Sequence, residues 1–325
     1  MKKVLLLAPR LDLPFGDGNT NPNPTPNPKL AKDHCRQHWR IFIDNTIKEY
    51  SSRQDIIFEV VEMQLAKFTP KFVYSKNVDT VLIPHKEYHN FPIKDLEVYY
   101  YMQTAFPILF SVDKKGWAGG ISHYPFDSML KSAYSDTAFN MFREKALDNQ
   151  SKYPQPQYVD VSLPSEYVLF ACQIPHDQTI KYHSDIGVEQ ALEYTCAAAK
   201  ELGLSVVIKG HPAMPEKMTG CKQVAKKFSN TIYLEKISIH QLITGSRCVV
   251  VVNSGVGLES LLHKKPVVTF GRADYDCVTN RATKENIKDI LNNPMFDEQR
   301  VINFYDSWYN WTYDTSNFES FKKLP

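Results

Sequence analysis

Four short clusters in the second half of the chain carry side chains suited to chemistry on a phosphate or a sugar. They are Gln173-Ile174-Pro175-His176-Asp177, Lys209-Gly210-His211-Pro212, Asn253-Ser254-Gly255-Val256-Gly257 and Gly271-Arg272-Ala273-Asp274-Tyr275. Each follows an apolar run that reads as a buried strand. Strands ending in this way put their polar residues at the carboxyl edge of a parallel sheet, where open α/β folds bind ligands. Asp177 is either a turn or helix-capping aspartate or a carboxylate placed against a reacting sugar carbon, where it would act as a nucleophile with retention of configuration. His176 and His183 are close enough in sequence to tune its charge. Lys209 is either an ordinary turn lysine or the partner of a phosphate or carboxylate, and His211 can donate to a leaving phosphate.

Ser254 and Gly255 open a helix whose bare N–H groups suit an anion, with plain capping by Asn253 or Ser254 as the alternative. Gly257 permits close approach of backbone or ligand. Glu259, on the first turn, either complements the helix dipole or holds ribose hydroxyls through both carboxylate oxygens. Gln173, Arg272 and Tyr275 complete the expected donor side. No HxxxH or paired-carboxylate pattern accompanies these residues, so neither metal nor cofactor is expected. His123, in the Gly-rich stretch 116–124, and Arg36 are the candidates for the acceptor side.

These residues need a scaffold. Cys248 to Val252 predicts a strand, Leu258, Leu261 and Leu262 a short helix, and Val267 to Phe270 the next strand. The same alternation predicts strands at 167–172, 205–208 and 231–234, and helices at 187–202, 215–228, 238–245 and 283–292. In the first half, strands are expected at 4–10, 56–63 and 80–84 and helices at 30–50 and 127–147. Residues 16–28, GDGNTNPNPTPNP, cannot join a helix or sheet interior because alternate prolines remove donors. They read as a surface loop or a lid. The aromatic-rich region 92–130 reads as core, and 148–161 as a polar linker. The expected fold is α/β, two Rossmann-like domains facing one cleft, which is the GT-B glycosyltransferase layout. The expected domains are 1–160, an acceptor domain, and 161–296, a donor domain, with an amphipathic tail at 297–325 crossing back.

The bulk numbers agree with that reading. The chain has 325 residues, 43% hydrophobic, with a net charge of +2. Near-balanced charge argues against nucleic-acid binding. No run of about 18 apolar residues predicts a membrane span. Residues 1–14 lack the apolar length and cleavage site of a signal peptide. Six cysteines without a CxxC pair read as buried thiols in a reducing compartment, so a cytoplasmic location is expected. GxGxxG after the first strand is absent, which leaves no dinucleotide site.

The residues 209–212, 253–262, 265–268 and 270–276 together resemble the capsule polysaccharide biosynthesis group of bacterial β-Kdo transferases, with the related O-antigen chain-terminating modules. The loop 173–179 resembles that group's loop in which a Gln precedes an Asp. The resemblance covers roughly 165–285. It implies a CMP-Kdo donor, retention, Asp177 as nucleophile, His211 by the donor phosphate or Kdo carboxylate, and Ser254, Gly255 and Glu259 holding CMP. It also implies a glycan or glycolipid acceptor and peripheral association with the inner face of the inner membrane. A UDP-sugar, CMP-sialic acid or CDP-glycerol donor, a 2-epimerase-like isomerase and a non-catalytic nucleotide-sugar-binding module are the competing readings.

Overall fold

The structure is a computed structural model that describes residues 1–15, 24–130 and 135–325; of the Asn/Pro loop expected at 16–28, residues 16–23 lie outside the described residues. In chain order the described strands are β1 (Lys2–Pro9), β2 (Ile56–Met63), β3 (Thr80–Pro84), β4 (Glu97–Gln103), β5 (Leu109–Asp113), β6 (Tyr167–Ala171), β7 (Ser205–Lys209), β8 (Thr231–Leu234), β9 (Cys248–Val251), β10 (Val267–Thr269), β11 (Asn280–Arg281) and β12 (Tyr313–Asp314). They form two sheets, ordered β12-β5-β4-β3-β1-β2 and β11-β10-β9-β6-β7-β8.

The chain divides into two compact units. Unit 1 is Met1–Ser122 with Tyr309–Pro325, and unit 2 is His123–Trp308. These boundaries differ from 160 and 296: residues 123–147 fall in unit 2, and so does the segment after Asp148, read as a linker, which Gln155 and Val159 bond to Ile239 and Gln241. Helix Glu298–Trp311 carries the chain from unit 2 back to unit 1.

In unit 1, β2, β1, β3 and β4 run parallel, β5 pairs antiparallel with β4, and β12 pairs antiparallel with β5. Alternation along β1 sends Val4, Leu6 and Ala8 to one face and Leu5 and Leu7 to the other. Helix His34–Ser51, capped by Asp33, covers the first face with Trp39, Phe42, Ile43 and Tyr50, which at i, i+3, i+4 and i+11 fall on one apolar stripe. The tail is held by β12 on β5 and by the Tyr50 hydroxyl donating to the Pro325 carbonyl at 2.6 Å. The aromatic-rich region contains β4 and β5, which were not predicted from the sequence. Tyr100 and Tyr101 are both buried, one on each face, so strict apolar–polar alternation is missing there.

The six described strands of unit 2 are all parallel. β6, β7 and β9 are almost fully buried, as expected of strands with helices on both faces. Val168, Phe170, Val206, Ile208, Cys248 and Val250 pack against Ala191, Leu192 and Cys196 of helix Val188–Glu201. The helix expected at 215–228 begins as a 3-10 turn, Pro215–Met218, before helix Thr219–Lys226, and the one expected at 283–292 is confined to Ile287–Asn292. The helix expected at 127–147 is a 3-10 turn, Phe126–Met129, and a helix, Thr137–Leu147.

Candidate active site

Sheet 2 reverses its strand order between β6 and β9, and that is where its polar ends meet. Gln173 and Asn253, both buried, lie just past those two strands. The Gln173 Nε2 donates to Asn253 Oδ1 at 2.9 Å, and the Asn253 backbone N–H donates to Gln173 Oε1 at 2.9 Å. Asn253 Nδ2 also donates to the Thr179 carbonyl at 2.8 Å and the Arg272 carbonyl at 3.3 Å. Three of the four predicted clusters are thereby tied together. Gln173 and Asn253 brace the site, with their polar atoms engaged on one another.

Asp177 caps helix Gln178–His183, its Oδ1 accepting from Thr179 N–H at 2.8 Å and Thr179 Oγ1 at 2.7 Å. The capping role weighed from sequence is therefore present, and Oδ2 makes no hydrogen bond with a described residue. His211 lies past β7, close enough for the charge of Asp177 to act on it. Burial, the dominant cause, pushes its imidazole down to about 4. Its Nδ1 accepts from Ala213 N–H at 3.3 Å, which assigns the proton of the neutral ring to Nε2. Lys209 is buried, donates to the Gly210 carbonyl at 2.8 Å and has its pKa lowered by burial.

Ser254 Oγ accepts from Val256 N–H at 3.3 Å, but the N-cap of helix Val256–Leu262 is Gly255, so the capping by Asn253 or Ser254 weighed from sequence is not what the structure has. Two further expectations change here. Tyr275 is buried, and its hydroxyl donates to the Ser254 carbonyl. A Cβ on Gly257 would stand 2.5 Å from that hydroxyl oxygen. Gly257 thus admits the protein's own Tyr275 rather than a ligand, and Tyr275 is a brace. Arg272 is likewise engaged: its Nη2 donates to the Tyr182 carbonyl at 2.8 Å and its backbone N–H to the His183 carbonyl at 2.6 Å.

Glu259 is buried, and burial raises its carboxyl to about 7, against the lowering effects of Ser151 and Lys152. Its Oε1 accepts from the Ser151 hydroxyl. Tyr153 meets the His211 ring edge-on at 5.4 Å. Ser151, Lys152 and Tyr153 were missed because the segment has no periodicity and reads as a linker. Beyond β10, Asp274 accepts from Trp308 Nε1 at 2.8 Å and Asp276 accepts from the Tyr124 hydroxyl at 2.7 Å.

The acceptor-side candidates fall in different units. His123 is exposed at the start of unit 2. Arg36, in unit 1, donates to the Leu11 and Leu13 carbonyls at 2.6 Å each and lies 4.0 Å from the Phe15 ring centroid, so it braces the loop after β1. The Gly-rich stretch is organised by a residue not singled out from sequence: Asp113 accepts from Lys115, Gly116 and Ser122 N–H groups and from the Ser122 hydroxyl. Among the described residues no group of three or more His, Cys, Asp or Glu is placed to hold a metal ion, and no helix is long and apolar enough to cross a membrane.

The sequence profile of the capsule polysaccharide biosynthesis protein family matches residues 122–289, which takes in every one of the strand ends above. The chain belongs to this family. Capsule polysaccharide export protein KpsS of Escherichia coli is 29% identical over 127 residues, 35% of this chain and 32% of that protein. Protein FixF of Sinorhizobium fredii (strain NBRC 101917 / NGR234) is 29% identical over 136 residues, 40% of this chain and 32% of that protein. The chain therefore matches about a third of the length of these curated relatives. Two solved structures of Thermosulfurimonas dismutans KpsC resemble this capsule-family chain. Its β-Kdo 2,7 transferase superposes with a TM-score of 0.51 at 17% identity, over 81% of this chain and 86% of that one. Its β-Kdo 2,4 transferase gives 0.51 and 17%, over 86% and 87%. At that identity the likeness concerns the fold, which is two Rossmann-like units of the GT-B type.

Proposed function

We propose that this capsule-family chain is a retaining glycosyltransferase that moves Kdo from CMP-Kdo to a hydroxyl of a glycan acceptor. The observation that carries the reading is the placement of Asp177, His211 and Glu259 past the carboxyl ends of β6, β7 and β9, neighbouring strands of one sheet, inside the stretch that the family profile matches. Asp177 Oδ2 attacks the anomeric carbon as the bond to the phosphate oxygen breaks, and CMP leaves with the bonding pair. His211, neutral at pH 7, stabilises the departing phosphate by a hydrogen bond from Nε2–H. The acceptor hydroxyl then displaces Asp177 and gives up its proton to solvent water, which restores the carboxylate and gives net retention. As proposed, the protein contributes side chains alone to both displacements. Glu259, with Oε1 on Ser151, offers Oε2 to a ribose hydroxyl. Gln173, Asn253, Arg272 and Tyr275 hold the strand ends in register, and Ser254 and Gly255 line the nucleotide side. The acceptor is a glycan, free or carried on a lipid, and a lipid-borne acceptor would bring the protein to a membrane surface.

Intact-mass measurement after exposure to CMP-Kdo tests the mechanism. The expected result is an added Kdo residue on the wild-type chain and none on Asp177→Ala. Turnover of Asp177→Ala at the wild-type rate would refute the assignment. Thermal stabilisation by UDP and not by CMP would refute the donor, and conversion of free nucleotide sugar without an acceptor would indicate an isomerase.

A further inference from the structure

Glu259 is 6% exposed, and its two carboxylate oxygens differ: Oε1 accepts from the Ser151 hydroxyl, while Oε2 makes no hydrogen bond with a described residue. Ser151 lies in the segment 148–160, which contains no helix or strand yet is fastened to the rest of unit 2 on both sides of that serine. Ahead of it, Asn149 Oδ1 accepts from the Ser238 hydroxyl, and the Gln150 carbonyl accepts from His240 Nε2 at 2.9 Å. His240 Nδ1 in turn pairs with His263 Nε2 at 2.9 Å. Beyond it, Gln155 Oε1 accepts from Ile239 N–H at 2.9 Å. Gln241 brackets Val159, accepting from its N–H at 3.1 Å and donating to its carbonyl at 2.6 Å. Ser238 caps helix Ile239–Gly245, so both sides of the segment hang on one helix. A chain held this way is a strap, and it brings Ser151 to a carboxylate 108 positions away in sequence.

A glutamate carboxyl group turns easily about its last bond, and one that can turn meets both hydroxyls of a ribose, one on each oxygen. The Ser151 hydrogen bond removes that freedom and occupies Oε1. One directed oxygen is left, in a buried place where an unmet polar atom is costly. A site of that kind discriminates strongly against a ligand lacking the hydroxyl that it is built to meet. Burial, which raises the Glu259 carboxyl to about 7, is opposed first by Ser151 and then by Lys152, and the charge of Glu259 acts on Tyr305 of helix Glu298–Trp311. We propose that Ser151, fixed by the strap, is the positioning residue that aims Glu259 Oε2 at a single ribose hydroxyl, so that unit 2 selects ribonucleotides over one of the two monodeoxy forms. This rests on the reading that Glu259 meets the ribose of a nucleotide-activated donor.

The test compares nucleotides that differ by one hydroxyl. CMP and its 2′-deoxy and 3′-deoxy forms are titrated calorimetrically into the wild-type chain, Ser151→Ala and Ser151→Thr, at about pH 6 and about pH 8. At the higher pH the wild type should take one deoxy form about tenfold or more weakly than CMP and the other about as well as CMP. In Ser151→Ala that ratio should fall to about threefold or less, and Ser151→Thr, which keeps the hydroxyl, should restore it. The wild-type ratio should also shrink at the lower pH, where Glu259 is protonated and its bond loses charge assistance. Equal weakening of all three nucleotides by Ser151→Ala, with the ratio intact, would make Ser151 a structural residue and overturn the proposal. Equal loss for both deoxy forms in the wild type would mean a two-oxygen grip and overturn it too, and a ratio indifferent to pH would assign the hydroxyl to another group. If the wild-type chain takes UMP instead of CMP, the Kdo donor reading fails while Ser151 is judged on the uridine forms. If it takes no nucleotide, both readings fall.

Discussion

The two sheets share a plan and differ at their carboxyl ends. Each has its first strand, β1 or β6, inside the sheet, with the strand order reversing beside it. In unit 2 the strand ends are joined by hydrogen bonds: Gln173 to Asn253, Asn253 to the segments of Thr179 and Arg272, and Tyr275 to Ser254. In unit 1 the corresponding region is packed with rings. His85, past β3 with a φ of 56°, stacks on Trp39 at 5.0 Å, and Phe15 meets both rings edge-on at 5.1 and 5.4 Å. Hydrogen-bonded ends hold polar atoms at set positions, as displacement at a sugar carbon demands. Ring packing sets a surface with less directional precision. That difference is why the proposed bond-making chemistry is put in unit 2.

The strongest way to break that contrast is Asp177→Ala, expected to lower turnover by about 10⁴-fold or more while its folded state survives the loss of one helix cap, about 1 kcal/mol. Steady-state rates beside a denaturant titration check both halves. Next, Trp39→Ala removes the centre of the ring cluster in unit 1 and should cost about 3–5 kcal/mol of stability. CMP affinity, which the contrast assigns to unit 2, should be unchanged at a temperature where the variant is folded. Gln173→Ala leaves the buried Asn253 N–H and carbonyl oxygen unsatisfied. It should cost about 3 kcal/mol and abolish CMP binding as the strand ends lose register. If nucleotide binding survives that variant, the clasp is not what shapes the site.

The smallest effect is the response to acid. Burial holds His211 and His263 down at about 4, against an ordinary 6.5, and lowers His240 as well. The unfolded chain therefore takes up these protons first. Stability present above pH 6.5 should fall as pH drops toward 4. Glu259 acts in the opposite sense: its carboxyl, raised from 4.5 to about 7, favours the folded state below pH 4.5 and loses that contribution as pH rises through 7. Thermal melts from pH 7 to 4 should show a falling Tm, with a shallower slope for His263→Asn. A flat profile would mean that the His240–His263 pair holds nothing in place.

Much of unit 2 was legible because its strands are short apolar runs broken by turn residues. β6, β7, β9 and β10 all fall within a residue of where the apolar runs predict them. The candidate residues stand at strand ends for the same reason. Unit 1 was harder to read: β4 and β5 lie in aromatic-rich sequence buried on both faces, and two-residue β12 pairs with a strand some two hundred positions away. The 148–161 segment was misread because side-chain and backbone hydrogen bonds, and not an apolar stripe, attach it.

Sequence alone determined which residues stand at the carboxyl ends of the strands of sheet 2. Local propensity and apolar patterning are written within a dozen residues, so Asp177, Lys209, His211, Asn253 and Glu259 could be picked without a structure. Which of those side chains remain for a ligand was decided by tertiary packing. Gln173, Asn253, Arg272 and Tyr275 carry the same polar groups as their neighbours, and only three-dimensional pairing turns them into braces. The same holds for Ser151 and Tyr153, which no motif marks. Hydrogen bonds between residues some ninety to a hundred and ten positions apart bring them to Glu259 and His211, and no local pattern encodes a contact at that separation.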